Sequence, residues 1–176
     1  NNYIPENVCD LILNTYSQYE DATVIVKDDN AQKIQEARDS DVCWINEPFW
    51  NNVIIDLVSR VNIESGLKFN IQQIEPLQVT RYVAPHGHYD FHQDGNGFIE
   101  GTDNLTRKLS LSCLLNNPED FEGGELEFYT NSTPQSVKLN KGDVVVFPSY
   151  QLHRVKPVTK GERHSLVAWV RGPQFQ

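Results

Sequence analysis

The chain has 176 residues, 39% hydrophobic and 22% charged, which fits one globular domain with a core of its own and excludes a disordered chain. Its formal charge of −9 argues against a protein whose main task is gripping nucleic-acid phosphates, although a small basic cleft is compatible with it. Three scattered cysteines (Cys9, Cys43 and Cys113), none in a CxxC pair, speak against a structural zinc knuckle and point to reduced thiols in a cytoplasm-like compartment.

No apolar run approaches the roughly 20 residues of a membrane span, so no membrane partner is expected. The opening NNYIPENVCDLILNTY has no basic stretch ahead of an apolar block and does not read as a secretory signal. Met is absent everywhere, position 1 included, which reads as a trimmed start.

Residues 5–18 predict a helix, with Pro5 at its first turn and Val8, Leu11, Ile12 and Tyr16 at helical spacing. Residues 22–27 read as a short strand. Residues 46–60 predict a second helix, capped by Asn46, with Pro48 in the first turn and an apolar stripe of Trp50, Val53, Ile54, Leu57 and Val58.

Beyond Gly66 the period changes to two. Leu77, Val79 and Arg81 alternate with Gln78, Thr80 and Tyr82. Residues 108–115 and 123–129 predict further strands, the second followed by a turn at TNSTPQ. Residues 136–148 read as a hairpin turned at Asn140-Lys141-Gly142-Asp143, and 153–170 as another turned near Thr159–Glu162. There are no repeats, low-complexity tracts or linkers. The expectation is a single domain over 1–176: a helical support region, 1–67, and a mainly β core, 68–176. Helices followed by many short strands predict a jelly roll (double-stranded β-helix) with the helices packed on one sheet.

The sequence HYDFHQD, residues 88–94, holds two His-x-Asp pairs, His88/Asp90 and His92/Asp94. Side chains two apart on an extended segment share a face, roughly 7 Å apart at Cα, so either pair could reach one ion. A stable site needs a third ligand. His153 closes the strand-like VVVFPSYQLH, and a jelly roll could fold it back beside the first cluster. Two His and one carboxylate form the facial triad of non-haem Fe(II) oxygenases. A hydrogen-bonded histidine at a strand end is the plain alternative. Arg163 stands on an otherwise apolar strand with Ser165, Val167 and Trp169 on its face. An unpartnered buried guanidinium is costly, so it meets either an anionic ligand or a structural Glu or Asp.

Three segments, RYVAPHGHYDFHQD, LSLSCLLNNPEDFEGGELEFY and VKLNKGDVVVFPSYQLHRVKPVTKGERHSLVAWV, resemble the Fe(II)- and 2-oxoglutarate-dependent dioxygenases. The resemblance is to the prolyl 4-hydroxylase group, particularly the bacterial and phage PKHD-type hydroxylases, and runs from about Gln78 to Arg171. EARDSDVCWI, residues 36–45, also looks like a segment of those relatives. The resemblance implies His92, Asp94 and His153 as iron ligands. It prefers His92/Asp94 over His88/Asp90 because Tyr89 stands three residues before the first ligand. It implies Tyr82 as a cosubstrate contact, and Arg163 with Ser165 as the holder of the distal carboxylate of 2-oxoglutarate. Where some relatives place a second Tyr over the cosubstrate, this chain offers Ser112, Cys113 or Leu114.

The implied activity is hydroxylation of an unactivated C–H, that of a peptidyl prolyl residue, with Fe(II), 2-oxoglutarate and O2, ascorbate as a candidate reductant, and succinate and CO2 released. Tyr89, Gln93, His88 and Trp44 are candidates for the substrate mouth. The Gly-rich residues 94–104 read as a loop at that mouth, a candidate lid, or a plain connector. Gly123-Gly124 reads as an ordinary tight turn, Pro148 as a strand end and Trp169 as core. Expected partners are a peptide, a protein or a small amino acid, not nucleic acid: the chain lacks the second Arg that nucleic-acid-repairing relatives place after the cosubstrate Arg. The expected location is the cytoplasm of a bacterium or phage-infected cell. Three other readings stay open: a non-catalytic metal-holding jelly-roll module, a zinc hydrolase with the same ligands, and a hydroxylase of free amino acids or other side chains.

Overall fold

A computed structural model describes residues 3–22, 37–96 and 104–174. The strand expected over 22–27 and most of the 94–104 loop lie outside the described residues. Helix α1 (Glu6–Thr15) begins behind Pro5, whose carbonyl accepts from Val8 and Cys9. After the short strands β1 (Glu20–Asp21) and β2 (Arg38–Asp39) comes β3 (Asp41–Ile45), then helix α2 (Pro48–Glu64).

Glu47, not Asn46, is the residue before the first turn of α2, and it makes no side-chain cap. Pro48 takes N1, where its missing N–H costs nothing. Only part of the expected stripe faces inward. Ile54, Leu57 and Val58 are buried, Val53 is exposed, and Trp50 is half-buried with its Nε1 donating to Tyr16 Oη at 2.9 Å. The helix runs past the expected end to bury Asn62, whose amide donates to the Phe69 carbonyl and accepts from the Phe69 N–H, both at 2.9 Å.

The remaining strands are β4 (Gln73–Ile74), β5 (Leu77–Val83), β6 (His88–His92), β7 (Leu105–Leu114), β8 (Phe121–Gly123), β9 (Leu126–Thr130), β10 (Thr133–Val137), β11 (Val144–Pro148), β12 (His153–Val155) and β13 (Val158–Pro173). Among the described residues they form two antiparallel sheets. The larger has the order β1-β3-β5-β13-β7-β11, with β4 and β8 also on β13; the smaller has the order β10-β9-β12-β6-β2.

The central strands of the larger sheet are covered on both faces. Leu77, Val79, Leu109, Leu111, Leu166, Ala168 and Val170 pack under Cys9, Ile12, Ile54, Leu57 and Val58 of the helices. Its other face meets the smaller sheet across Tyr82, Leu126, Phe128, Phe147, Val155 and Val158. The result is the expected mainly β jelly roll with helices on one sheet.

Two expected hairpins are crossovers. The turn at Asn140–Asp143 exists, closed by Asp143 N–H on the Asn140 carbonyl, with Gly142 at φ +81°. It joins β10, which pairs with β9 in the smaller sheet, to β11, which pairs with β7 in the larger. Likewise β12 pairs with β6 and β9, and the chain crosses at Lys156-Pro157 into β13 of the larger sheet. Thr159–Glu162 lies inside β13. No helix among the described residues is long and apolar enough to cross a membrane.

Candidate active site

His153 opens β12 instead of closing the preceding strand. Strand β11 ends at Pro148, a turn follows with Gln151 N–H on the Pro148 carbonyl, and His153 falls directly opposite His92 of β6. Their ring centroids are 4.2 Å apart. Asp94 follows His92 at the start of a 3-10 turn (Asp94–Asn96). His92 Nε2 stands 3.5 Å from Asp94 Oδ1, and His153 Nε2 stands 3.6 Å from Asp94 Oδ2. The ligating atoms of the three all lie within 4.8 Å of one another.

Both histidines are held the same way. His92 Nδ1 lies 2.8 Å from the Asp90 carbonyl, and His153 Nδ1 lies 2.8 Å from the Gln151 carbonyl. A carbonyl only accepts, so each Nδ1 carries a proton and each ring turns its Nε2 toward Asp94. The gaps of 3.5 and 3.6 Å exceed a charged hydrogen bond but suit donors converging on one centre. This set therefore fits a metal with open positions.

Burial alone would raise Asp94. The imidazoles of His92 and His153 beside it and the Ser110 hydroxyl outweigh burial and hold the carboxyl well below the usual carboxylate range. Ser110 Oγ donates to Asp94 Oδ2 at 2.6 Å and lies 3.0 Å from Ser149 Oγ. Sequence reasoning passed over Ser110. Its signal was parity: in KLSLSCLL, Ser110 and Ser112 alternate with the core residues Leu109, Leu111 and Cys113, a polar face on a strand otherwise bound for the interior.

Arg163 is 2% exposed and opposite Tyr82 in the β13–β5 register. Its Nη1 donates to Ser165 Oγ at 3.2 Å, and its guanidinium carbon lies 5.6 Å from the Tyr82 ring centroid. Burial pushes its pKa down, with Tyr82 and Cys113 opposing. No carboxylate among the described residues pairs with it, so the structural ion pair is not found there. Gly124 leaves room for it: a Cβ there would stand 2.9 Å from Arg163 Cδ and 2.9 Å from Val158 Cγ2. The Gly123-Gly124 pair is thus more than a turn.

Of the three strand candidates, Ser112 shares the interior face with Val167 and Val145, and Leu114 is opposite Ser165. Cys113 points the other way, into the helix-side core with Cys9. Tyr89 stacks on His92, ring centroids 3.5 Å apart and planes at 14°, and Arg38 caps it at 4.7 Å. Gln93 is exposed and donates to the Tyr150 carbonyl at 2.6 Å. His88 Nδ1 lies 2.7 Å from the His86 carbonyl, apart from the triad. Trp44 is 41% exposed, with its ring 6.5 Å from that of the buried Trp169.

Residues 77–171 match the sequence profile of the 2OG-Fe(II) oxygenase superfamily. The chain belongs to that superfamily. It is 43% identical over 83 residues to a PKHD-type hydroxylase of Hyphomonas neptunium, covering 47% of this chain and 37% of that protein. It is 39% identical over 98 residues to a PKHD-type hydroxylase of Prochlorococcus marinus, covering 56% and 42%. The matches thus span less than half the length of these relatives.

In fold, this 2OG-Fe(II) oxygenase resembles the viral collagen prolyl hydroxylase of Paramecium Bursaria Chlorella virus-1, solved as a 2OG complex. The TM-score is 0.72 at 22% identity, over 98% of this chain and 93% of that one. A prolyl-4-hydroxylase of Pseudomonas putida gives TM-score 0.72 at 20% identity, over 98% and 90%. A prolyl hydroxylase of Trichoplax adhaerens, solved with a hypoxia inducible factor oxygen degradation domain peptide fragment, gives 0.71 at 19%, over 97% and 80%. Membership in the oxygenase superfamily implies Fe(II) and 2-oxoglutarate with O2, and the His92–Asp94–His153 group fits iron.

Proposed function

We propose that this chain is an Fe(II)- and 2-oxoglutarate-dependent hydroxylase of a prolyl residue within a peptide, releasing succinate and CO2. The observation that carries the reading is Arg163, a buried guanidinium with no carboxylate partner among the described residues, on a face shared with Ser165 and Tyr82. A dianionic cosubstrate supplies what that guanidinium lacks, because Arg grips a carboxylate with two parallel hydrogen bonds.

In this reading His92, Asp94 and His153 hold Fe(II). Bound iron supplies the O2 activation that couples decarboxylation of 2-oxoglutarate to oxygen insertion into a C–H bond. The side chains position and exclude water. Arg163 and Ser165 take the distal carboxylate, and Tyr82 walls the pocket from the paired strand. The Asp90 and Gln151 carbonyls fix both imidazole tautomers, and Ser110 holds Asp94 ionised and oriented. No side chain acts as a strong acid or base. Ascorbate enters only as a reductant keeping iron ferrous. The prolyl peptide is carried over from the similar hydroxylases above.

The test is anaerobic titration of Fe(II)-loaded protein with 2-oxoglutarate, following the weak visible charge-transfer band. A band in the wild type that needs far more 2-oxoglutarate in Arg163→Ala, with iron retained, is the expected result. Iron bound without any band would leave a metal-holding module or a hydrolase.

A further inference from the structure

Besides Arg163, one other arginine among the described residues has no carboxylate within ion-pair distance. Arg60, Arg81, Arg107, Arg154 and Arg171 all have one. The exception is Arg38 on β2. Its Nε donates to Ser40 Oγ at 2.8 Å and its Nη2 to Gln78 Oε1 at 3.1 Å, and it covers the Tyr89 ring that stacks on His92. Arg38 therefore spans from the smaller sheet to the larger beside the triad, with no hydrogen-bond partner for Nη1 among the described residues.

Gln78 is 4% exposed. Its Oε1 accepts from both Arg38 and Thr80. Arg can only donate, which fixes the amide orientation and leaves the Gln78 Nε2 donors without a partner among the described residues. Gln78 lies opposite Trp44 of β3 and opposite Val167 of β13, so it faces the interior side of the larger sheet. A cavity of about 160 Å³ opens there, lined by Arg38, Gln78, Trp44, Val42, Glu20 and Asp21. Its inner wall offers spare donors. Its rim carries two exposed carboxylates that make no ion pair among the described residues.

We propose that this cleft reads a peptide substrate bearing a basic side chain: Arg38 and Gln78 donate to a main-chain carbonyl, while Glu20 and Asp21 attract the neighbouring cation. The inference rests on the hydroxylase reading of the triad and names its substrate class. Spare donors call for an acceptor. A free carboxylate would meet two negative charges against one positive, whereas a neutral carbonyl would not, and a flanking Lys or Arg gains from both acids. The net charge of −9 acts in the same direction. Trp44 adds an apolar wall for the peptide chain.

The test is calorimetric titration of Mn(II)- and 2-oxoglutarate-loaded protein, without O2, with acetyl-Lys-Pro-Lys-amide, acetyl-Glu-Pro-Glu-amide and free L-proline. The lysine peptide should bind about tenfold tighter than the glutamate peptide, two partly screened rim charges supplying that difference. Glu20→Gln with Asp21→Asn, which keeps both shapes, should remove the preference. Arg38→Ala should weaken both peptides alike, and Arg38→Lys should recover part of the loss. Equal peptide affinities, a preference that survives the double variant, tighter binding of free proline, or no peptide binding would each overturn the inference. The Fe(II) charge-transfer band, recorded on the same preparation, separates the two readings. A band without the charge preference overturns this inference alone; no band overturns the hydroxylase reading and this inference with it.

Discussion

Gly124 and Arg163 are fitted to each other: a Cβ at Gly124 would stand 2.9 Å from Arg163 Cδ. Gly124 also sits at φ +67°, where a side chain is strained. Gly66 has similar backbone, φ +76°, with nothing within 4 Å of its would-be Cβ. Gly66→Ala should therefore cost about 1 kcal/mol in thermal stability and leave 2-oxoglutarate binding alone. Gly124→Ala should cost more and also raise the 2-oxoglutarate needed for the charge-transfer band, by about tenfold, because the anchor is displaced. Parallel titrations and melts of the two variants check this.

Ser110→Ala removes the 2.6 Å hydrogen bond to Asp94 while leaving all three ligands in place. Metal affinity should fall by about 10–100-fold, the usual cost of losing a partner that orients a ligand. Competition with a chromogenic chelator, using Mn(II) or Co(II), measures it. Unchanged affinity would show that Ser149 or water replaces the donor.

Acid should destabilise the metal-free protein in a defined window. Burial pushes the His153 imidazole below its ordinary value, against the pull of Asp94. The unfolded chain then takes up a proton near pH 6.5 that the folded chain refuses, so stability falls as pH drops through about 6.5 toward the folded value. Asp94 does not contribute there. Its depressed carboxyl keeps its stabilisation above about pH 3.9 and loses it only on further acidification through the folded value. Thermal midpoints followed from about pH 7.5 to 5.5 should decline, and His153→Gln should flatten the decline.

Asn62 tests the support layer apart from the chemistry. Its side chain satisfies both the N–H and the carbonyl of Phe69 inside the helix–sheet junction. Asn62→Ala should cost about 2–3 kcal/mol in denaturant unfolding, since two hydrogen bonds to the Phe69 backbone are lost. Metal affinity should be unchanged.

Much of this architecture is legible in the sequence because alternation and turn chemistry are local. Period two marks the strands around Leu77–Tyr82 and 108–115, and Gly142 marks its turn correctly. What those signals do not say is which sheet the next strand joins. A turn residue needs the same backbone whether it closes a hairpin or carries the chain across the sandwich, so Asn140–Asp143 and the segment before His164 look like hairpins in the sequence alone. For the same reason His153 is visible as a residue but misplaced on its strand. The helix cap is misplaced by one residue: Glu47 precedes the first turn, so the Asn46 side chain lies outside the capping position. Arg163 is visible as a charge on an apolar strand. Arg38 and Gln78 are not, because their meaning lies in which donors remain unused once the two sheets have met.

Strand β13 runs from Val158 to Pro173 with β5 along one side and β7 along the other. Arg163 and Ser165 therefore sit on the most enclosed strand of the larger sheet, not on a loop that can open by itself. Their amide protons should exchange with solvent only when the whole molecule opens, among the slowest in the chain. A mutation that loosens this site should accordingly register as a shortened lifetime of the folded protein, and one that shortens that lifetime from afar should cost the site its occupancy.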